Sequence, residues 1–422
     1  MNLNWILHRC YFNLRMIPLR HRQAQHLKAT QEKECIKTVF FASNLSMWKY
    51  QGLYDELKKH ACFELYIVLS PFYNIPIEQQ ERDLRTLRTF FRGKSIDFMD
   101  YDLDNDVPYD VKDRIQPDLL FYPQPYAKML HPMHNAVQFE DKLLCYYPYA
   151  FWTGKDAWSY NNYMQNVAWK LLYSTELHRK DAIRYSYRKD KNVEIVGYPD
   201  SDVFLSYKGQ GQDVWKKQVS PKKRIIWAPH YSIPTNKKAV MHISNFLWMA
   251  DLMLEIARKY RDVLQIAFKP HPLLRGRMYI HPDWGKEKTD AYYRLWANGE
   301  NTQLEEQGFV ELFMTSDAMV HDCGSFMVEY HYSKNPVMYV LRDEKDRVST
   351  LNEFGLKAFN AHYKGKNEED ILRFIDQVVL EGNDPKREER EAFYRDYLLP
   401  PSGKTVAENT AEILLKALHK YQ

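Results

Sequence analysis

Short apolar runs of four to seven residues, each closed by a turn residue and most followed by a stretch of helical periodicity, recur along this chain and restrict its fold more than any other feature. In the first half they are KTVFFA (37–42), FELYIVL (63–69), residues 96–99, LLFY (119–122), LLCYY (143–147), residues 170–173 and residues 193–196. Between them Trp48, Leu53, Tyr54 and Leu57 fall at helical spacing, and residues 78–92 read as a charged helix. Runs this apolar suit strands buried on both faces, which means a parallel sheet with helices on each side. Residues 31–205 therefore predict a doubly wound, Rossmann-like α/β domain.

The polar, Gly- and Lys-rich stretch 208–223 (KGQGQDVWKKQVSPKK) predicts a linker. A second series follows it: RIIW (224–227), an amphipathic helix over 246–260, a strand over 264–268, a helical segment at 292–297 and a stretch at 305–313. Residues 317–340 and helices over 367–380 and 402–418 complete it. The expectation is an α/β chain with two Rossmann-like doubly wound domains facing a central cleft. The second domain spans 206–400, and residues 401–422 form a closing helix. At 422 residues the chain exceeds what one core accommodates, in agreement with two domains.

Composition removes several function classes. Lys and Arg (59) nearly balance Asp and Glu (55), so a net charge of +4 gives no footprint for nucleic acid. Five cysteines are scattered without a CxxC pair, which argues for a reducing compartment and against a disulfide framework or a zinc site. No metal or cofactor is expected. The 31 tyrosines fit either a Tyr-rich core or aromatic-lined ligand clefts. Residues 1–30 carry Arg9, Arg15, Arg20, Arg22 and Lys28 and no acidic residue, interleaved with Trp5, Ile6, Leu7, Tyr11, Phe12, Leu14 and Ile17. Nothing there approaches the ~20 apolar residues of a membrane span. The favoured reading is a basic amphipathic segment lying on an anionic membrane surface; the other is an extension packed on the domain behind it.

Chemistry concentrates where strands of the second half end. Residues 317–340 (DAMVHDCGSFMVEYHYSKNPVMYV) read as strand, turn, helix, strand, with Asp322-Cys323-Gly324-Ser325 at the turn. Unpaired amides and the positive end of the helix dipole make such a turn a phosphate cradle. Two further strand ends, Ala228-Pro229-His230 and Lys269-Pro270-His271-Pro272, place histidine after proline, with Lys269 and Arg275 supplying positive charge. Glu329 lies one helical turn beyond Ser325, where a carboxylate accepts the hydroxyls of a ribose.

KPHP followed about 40 residues later by the 317–340 segment resembles the signature of CDP-glycerol glycerophosphotransferases, the teichoic-acid polymerase and primase group. The resemblance covers residues 190–340 and is diffuse before them. It implies a GT-B fold, a CDP-activated polyol phosphate held by the second domain, and a lipid-linked or polysaccharide acceptor held by the first. His271 matches the family's phosphate-contacting histidine, and Asp322, Gly324 and Ser325 match its D-x-S-S turn. Glu329 matches the acidic residue after that turn. His230 stands where many relatives have threonine and is a second catalytic candidate. Gly324 replaces the first serine of the pair.

The family's W-H-G-T histidine, its proposed base, has no counterpart: the corresponding region reads YYPYAFW (146–152), with Tyr147 and Tyr149 on the acceptor side. His131 and His134 are the substitutes available nearby. The reading is a transferase that moves glycerol phosphate, or a related polyol phosphate, to a cell-surface polymer and releases CMP. It would work in the cytoplasm, peripherally on the inner face of the membrane. Two alternatives stand beside it, a nucleotide-sugar glycosyltransferase of the same fold and a catalytically silent nucleotide- or polymer-binding protein.

Overall fold

In the computed structural model, which describes residues 3–126, 128–209, 213–233, 243–306, 308–324, 326–341 and 344–420, the apolar runs become two six-stranded, all-parallel sheets. Each sheet centres one unit. The first unit comprises Met1–Trp152, Asp156–Asp202 and Leu399–Gln422, the second Thr153–Lys155 and Val203–Leu398.

The strands of the first unit are β1 (Ile36–Ala42), β2 (Phe63–Leu69), β3 (Leu119–Tyr122), β4 (Leu143–Tyr146), β5 (Lys170–Tyr173) and β6 (Val193–Ile195), in the order β2-β1-β3-β4-β5-β6. Its principal helices are α1 (Leu3–Arg15), α2 (Ile17–Glu32), α3 (Gln51–Leu57), α4 (Ile77–Gly93) and α5 (Glu176–Tyr185). Residues 96–99, expected as a strand, contribute only one bridge, Val68 to Met99. The closing helix, Val406–Ala417, packs on α3. Asp202 fastens its start by accepting the Val406 and Ala407 amides at 2.8 and 3.0 Å, and Thr405 and Glu408 form a capping box there.

Several tyrosines are core residues of this unit. Phe40 stacks on Phe121 at 4.6 Å and Tyr50 on Tyr147 at 5.3 Å. The Tyr50 hydroxyl donates to the Tyr122 carbonyl, and the Tyr147 hydroxyl meets Thr410 Oγ1. A buried phenol with its hydroxyl bonded adds apolar area without an unpaired polar group.

Residues 3–30 form two helices that pack to different extents on the first unit. Helix α2 packs: Leu19 joins the core, and buried Gln23 donates to the carbonyls of Glu140 and Val167 at 2.7 and 2.8 Å. Helix α1 is held on one side, with Arg9 Nε and Asn13 Nδ2 donating to the Tyr187 carbonyl at 3.0 and 3.1 Å and Phe12 on the Tyr187 ring. Its other side leaves Leu7, Tyr11 and Leu14 about 60% exposed, at 58%, 61% and 64%. Among the described residues no helix is long and apolar enough to cross a membrane.

The second unit holds β7 (Lys223–Ala228), β8 (Leu264–Phe268), β9 (Thr302–Leu304), β10 (Ala318–His321), β11 (Val337–Val340) and β12 (Tyr363–Gly365), in the order β12-β11-β10-β7-β8-β9. The helices that matter below are α6 (Phe246–Lys259), α7 (Gly285–Asn298), α8 (Phe326–Glu329), α9 (Glu344–Thr350) and α10 (Glu353–Asn360). Trp227, Phe246, Phe268 and Trp296 form one aromatic layer, with Trp227 stacked on Phe246 at 5.8 Å and on Phe268 at 4.9 Å. Within the 305–313 stretch a helix begins at Val310, and residue 307 lies outside the described residues. Of the expected linker, residues 210–212 lie outside the described residues. The part from residue 213 packs on this unit: buried Trp215 donates its indole N–H to Thr315 Oγ1 at 3.0 Å, and the Lys216 amide donates to Gln303 Oε1 at 2.8 Å.

Candidate functional site

From β7 the chain of the second unit builds outward through β8 and β9, then returns to the opposite side of β7 with β10. That reversal opens a crevice beyond the carboxyl ends of β7 and β10, the position where doubly wound sheets bind ligands. Register aligns Ala228 with His321 and Trp227 with Phe268. The loops 228–230, 269–272 and 322–324 therefore leave the sheet side by side, which brings the three sequence-predicted strand ends together.

His230 and His271 meet there, their ring centroids 5.0 Å apart, with Tyr231 4.4 Å from His271. Each uses Nδ1 as an acceptor. The Ser232 amide reaches His230 Nδ1 at 3.2 Å, and the Leu273 amide reaches His271 Nδ1 at 3.1 Å. An imidazole that accepts at Nδ1 carries its proton on Nε2, so each neutral ring presents an N–H donor. Burial keeps them neutral, lowering His230 to about 3, with the neighbouring His271 and Arg347 adding to the effect, and His271 to about 4.

Asp322, expected at the donor, is a buried brace. Its carboxylate accepts the His230 amide at 2.6 Å, the Asn245 amide, and Asn245 Nδ2 at 3.3 Å. It thereby ties the loop after β7 and the start of α6 to the end of β10. Burial pushes its pKa up to about 7, against the pull of those N–H donors. Gly324 is half-buried in the turn, and a Cβ added to it meets no atom within 4 Å. Ser325 lies outside the described residues. Glu329, at the end of α8, is buried.

The positive charges sort differently from the expectation. Lys269 is buried beside the histidines, its Nζ 3.4 Å from the Glu305 carbonyl, and burial lowers its pKa. Arg275 is committed elsewhere: it bonds Asp290 at 2.9 Å, lies 3.6 Å from Glu306, and covers the Tyr293 ring at 4.8 Å. Sequence reasoning missed Arg347. It lies in α9, its guanidinium 5.4 Å from the Tyr339 ring centroid and 3.8 Å from Met327 Sδ. Its field reaches His230, and its Nε has no hydrogen-bond partner among the described residues. The Tyr339 hydroxyl beneath it donates to the Asp322 carbonyl at 3.1 Å, immediately before the turn. The sequence held one signal, a basic residue on the helix that follows the strand after the phosphate-type turn.

The four acceptor-side candidates belong to the first unit, where the rings of His131 and His134 lie 6.5 Å apart and Tyr147 and Tyr149 have other partners. His134 is fully buried, its ring nitrogens 2.9 Å from Ser70 Oγ and 2.8 Å from the Tyr109 carbonyl. Tyr147 is sealed in the core described above. Tyr149 meets the Tyr126 hydroxyl at 3.2 Å. His131 lines a cavity of about 1210 Å³ with Arg85, Arg88, Arg92 and Tyr109. Its Nδ1 accepts the Met133 amide at 3.2 Å, which places the proton of the neutral ring on Nε2. Among the described residues no group of three or more His, Cys, Asp or Glu is arranged to hold a metal ion.

Two doubly wound units, one with a phosphate-type turn and a histidine pair at its switch point, define a GT-B-like α/β protein. Residues 153–413 match the family model described as CDP-Glycerol:Poly(glycerophosphate) glycerophosphotransferase, and the chain belongs to that family. Among solved structures it resembles a variant of the wall teichoic acid polymerase TagF, at 13% identity and a TM-score of 0.59, over 100% of this chain and 99% of that one. It also resembles UDP-GlcNAc 2-epimerases. For the enzyme from Neisseria meningitidis the identity is 16% and the TM-score 0.57, over 90% of this chain and 99% of that one. For the enzyme from Methanocaldococcus jannaschii they are 14% and 0.58, with the same coverage. At these identities the likeness is one of fold. Comparison with curated proteins finds no match.

Proposed function

We propose that this chain transfers glycerol phosphate, or a related polyol phosphate, from a CDP-activated donor to a hydroxyl of a cell-surface polymer. The observation that carries the reading is the neutral His230–His271 pair beside the turn after β10, in a chain of the glycerophosphotransferase family. The acceptor oxygen attacks the donor's β-phosphorus, a phosphodiester forms, the bond to the α-phosphate oxygen breaks, and CMP and a proton leave. Such a transfer depends on positioning and on charge around the phosphates more than on covalent help. In this assignment His230 and His271 donate Nε2–H to non-bridging oxygens, and Lys269 and Arg347 supply positive charge. Gly324 offers its amide in the turn before α8, and Glu329 accepts from the ribose. A TagF structure with CDPG supports placing that donor in this fold.

No histidine among the named candidates is assigned as general base, because all four have a ring nitrogen already engaged by protein atoms. The exposed side of α1 is assigned to an anionic membrane surface at the cytoplasmic face, with Leu7, Tyr11 and Leu14 entering the headgroup region. Purified full-length protein incubated with CDP-glycerol, CDP-ribitol and common sugar nucleotides tests the reading. CMP release from a CDP-polyol, lost in His271→Ala and reduced at least about tenfold in Arg347→Ala, is expected. UDP or GDP release from a sugar nucleotide, with none from CDP-polyols, overturns it.

A further inference from the structure

Two arginines of the first unit, Arg20 on α2 and Arg188 in the loop after α5, are partly buried and joined by a short chain of hydrogen bonds. Arg20 Nη2 donates to Asn13 Oδ1 at 2.7 Å, Asn13 Nδ2 donates to the Tyr187 carbonyl at 3.1 Å, and Arg188 follows Tyr187. Arg188 Nη1 is engaged by the carbonyls of Ala168 at 2.9 Å and Asn166 at 3.4 Å. Among the described residues neither guanidinium has a carboxylate partner, and Arg20 Nε is buried with no hydrogen-bond partner. Burial lowers the pKa of both, that of Arg188 to about 10 with the field of Arg20 adding to the effect, so both stay charged at neutral pH. A charge taken from water is ordinarily paired, as fully buried Arg390 is by Asp384. Two like charges side by side without a counter-ion call for an anion from outside the chain.

The surroundings indicate which anion. Residues 1–30 have no acidic side chain, and the segment that meets α1 through the Tyr187 ring, residues 179–191, has six basic residues against two acidic. Basic segments so composed are drawn to anionic lipid. Ile17 on α2 and Ile183 on α5 are exposed, as Leu7, Tyr11 and Leu14 on α1 are. A helix lying in the interface sinks its apolar side about 5–10 Å into the headgroup boundary, which sets lipid phosphates level with its polar flank. On α1 that flank carries Asn13, the partner of Arg20. We propose that Arg20 and Arg188 form a seat for the phosphate of an anionic phospholipid, so that the protein grips single headgroups in addition to resting on a charged surface. The proposal rests on the membrane reading of α1 given above.

Lysine in place of arginine keeps the charge and removes the fork that matches two phosphate oxygens, which separates a seat from diffuse attraction. The test uses the full chain labelled with ¹⁵N-arginine, vesicles of phosphatidylcholine with phosphatidylglycerol, and dihexanoylphosphatidylglycerol below its micelle concentration. The short-chain lipid is expected to shift the Nε–H resonances of Arg20 and Arg188. Arg20→Lys with Arg188→Lys weakens vesicle binding about tenfold, whereas Arg15→Lys with Arg184→Lys, two exposed positions, leaves it unchanged. Parent protein that does not bind the vesicles overturns the membrane reading and this proposal with it. Vesicle binding retained in full by the folded Arg20 and Arg188 double variant overturns the proposal alone. So does short-chain lipid that leaves both Nε–H resonances in place, a result that needs no variant to fold. Inorganic phosphate that shifts both resonances at the same concentration as the short-chain lipid overturns the assignment to a lipid.

Discussion

Lowering the pH from about 7 to about 5.5 is expected to destabilise each unit by at least roughly 2.5 kcal/mol, counting only the neutral histidines that are no more than 3% exposed. In the first unit these are His134 and His178, each brought by burial to about 4. In the second they are His321 and His331, brought to about 3, and His362, held well below the ordinary value. All five are at most 3% exposed. The unfolded chain takes up a proton on each as pH falls through about 6.5, while the folded chain does not until near 4 or below. Between those values the unfolded state binds more protons, so stability is fully present above about 6.5 and is lost as pH falls. At pH 5.5 each histidine costs about 1.3 kcal/mol relative to pH 7, roughly 2.5 for the first unit and 4 for the second. Asp322 works in the opposite sense. Its folded pKa is raised, so acid protonates it in the folded state first and returns up to about 1.5 kcal/mol to the second unit. Against a typical total of about 5–15 kcal/mol, these losses are large. Urea unfolding followed by fluorescence and circular dichroism at pH 7, 6.5, 6 and 5.5 reads them as falling midpoints at constant slope. His331→Leu should narrow the gap, because buried His331 stays neutral in the folded chain over this range and its loss removes a proton-binding site from the unfolded chain only. Midpoints that do not move between pH 7 and 5.5 refute the reasoning.

Gly324→Ser is expected to fold normally, since a Cβ there meets nothing within 4 Å, and to tighten CDP binding about three- to tenfold by adding a hydroxyl donor to the turn; calorimetry with unchanged or weaker binding contradicts this. On α1, Leu7→Asp with Leu14→Asp should abolish flotation with vesicles containing phosphatidylserine while leaving CMP release from a soluble acceptor intact, because both side chains are more than half exposed.

The sheet strands with uninterrupted apolar runs were legible in the sequence, because a strand buried on both faces announces itself by composition alone. β9 (TQL) and β12 (YKG) were not: they are three-residue edge strands with polar side chains, and only pairing with β8 and β11 makes them strands. Residues 96–99 failed for the converse reason, being apolar enough for a strand but joined to β2 by a single bridge. At the site, prolines and glycine marked the three loops correctly. The partners of their charges were invisible. Arg275 is drawn off by Asp290, fifteen residues further on and one helix away, while Arg347 comes to the turn from a helix beyond β11.

Histidine shows most sharply what a sequence leaves undecided. Pro229-His230, Pro270-His271 and His131-Pro132-Met133-His134 look alike as strings, each an imidazole held near a proline in a loop. What separates them is the use of the second ring nitrogen. His134 has both nitrogens engaged by protein atoms, so it braces the loop it belongs to. His230 and His271 have Nδ1 engaged by an amide two residues on, a bond that the local turn supplies, and the proton this leaves on Nε2 turns each ring into an oriented donor. The same local bond at His131 makes that residue a donor as well, which is why the reaction proposed here draws its rate from holding phosphate and not from a histidine base.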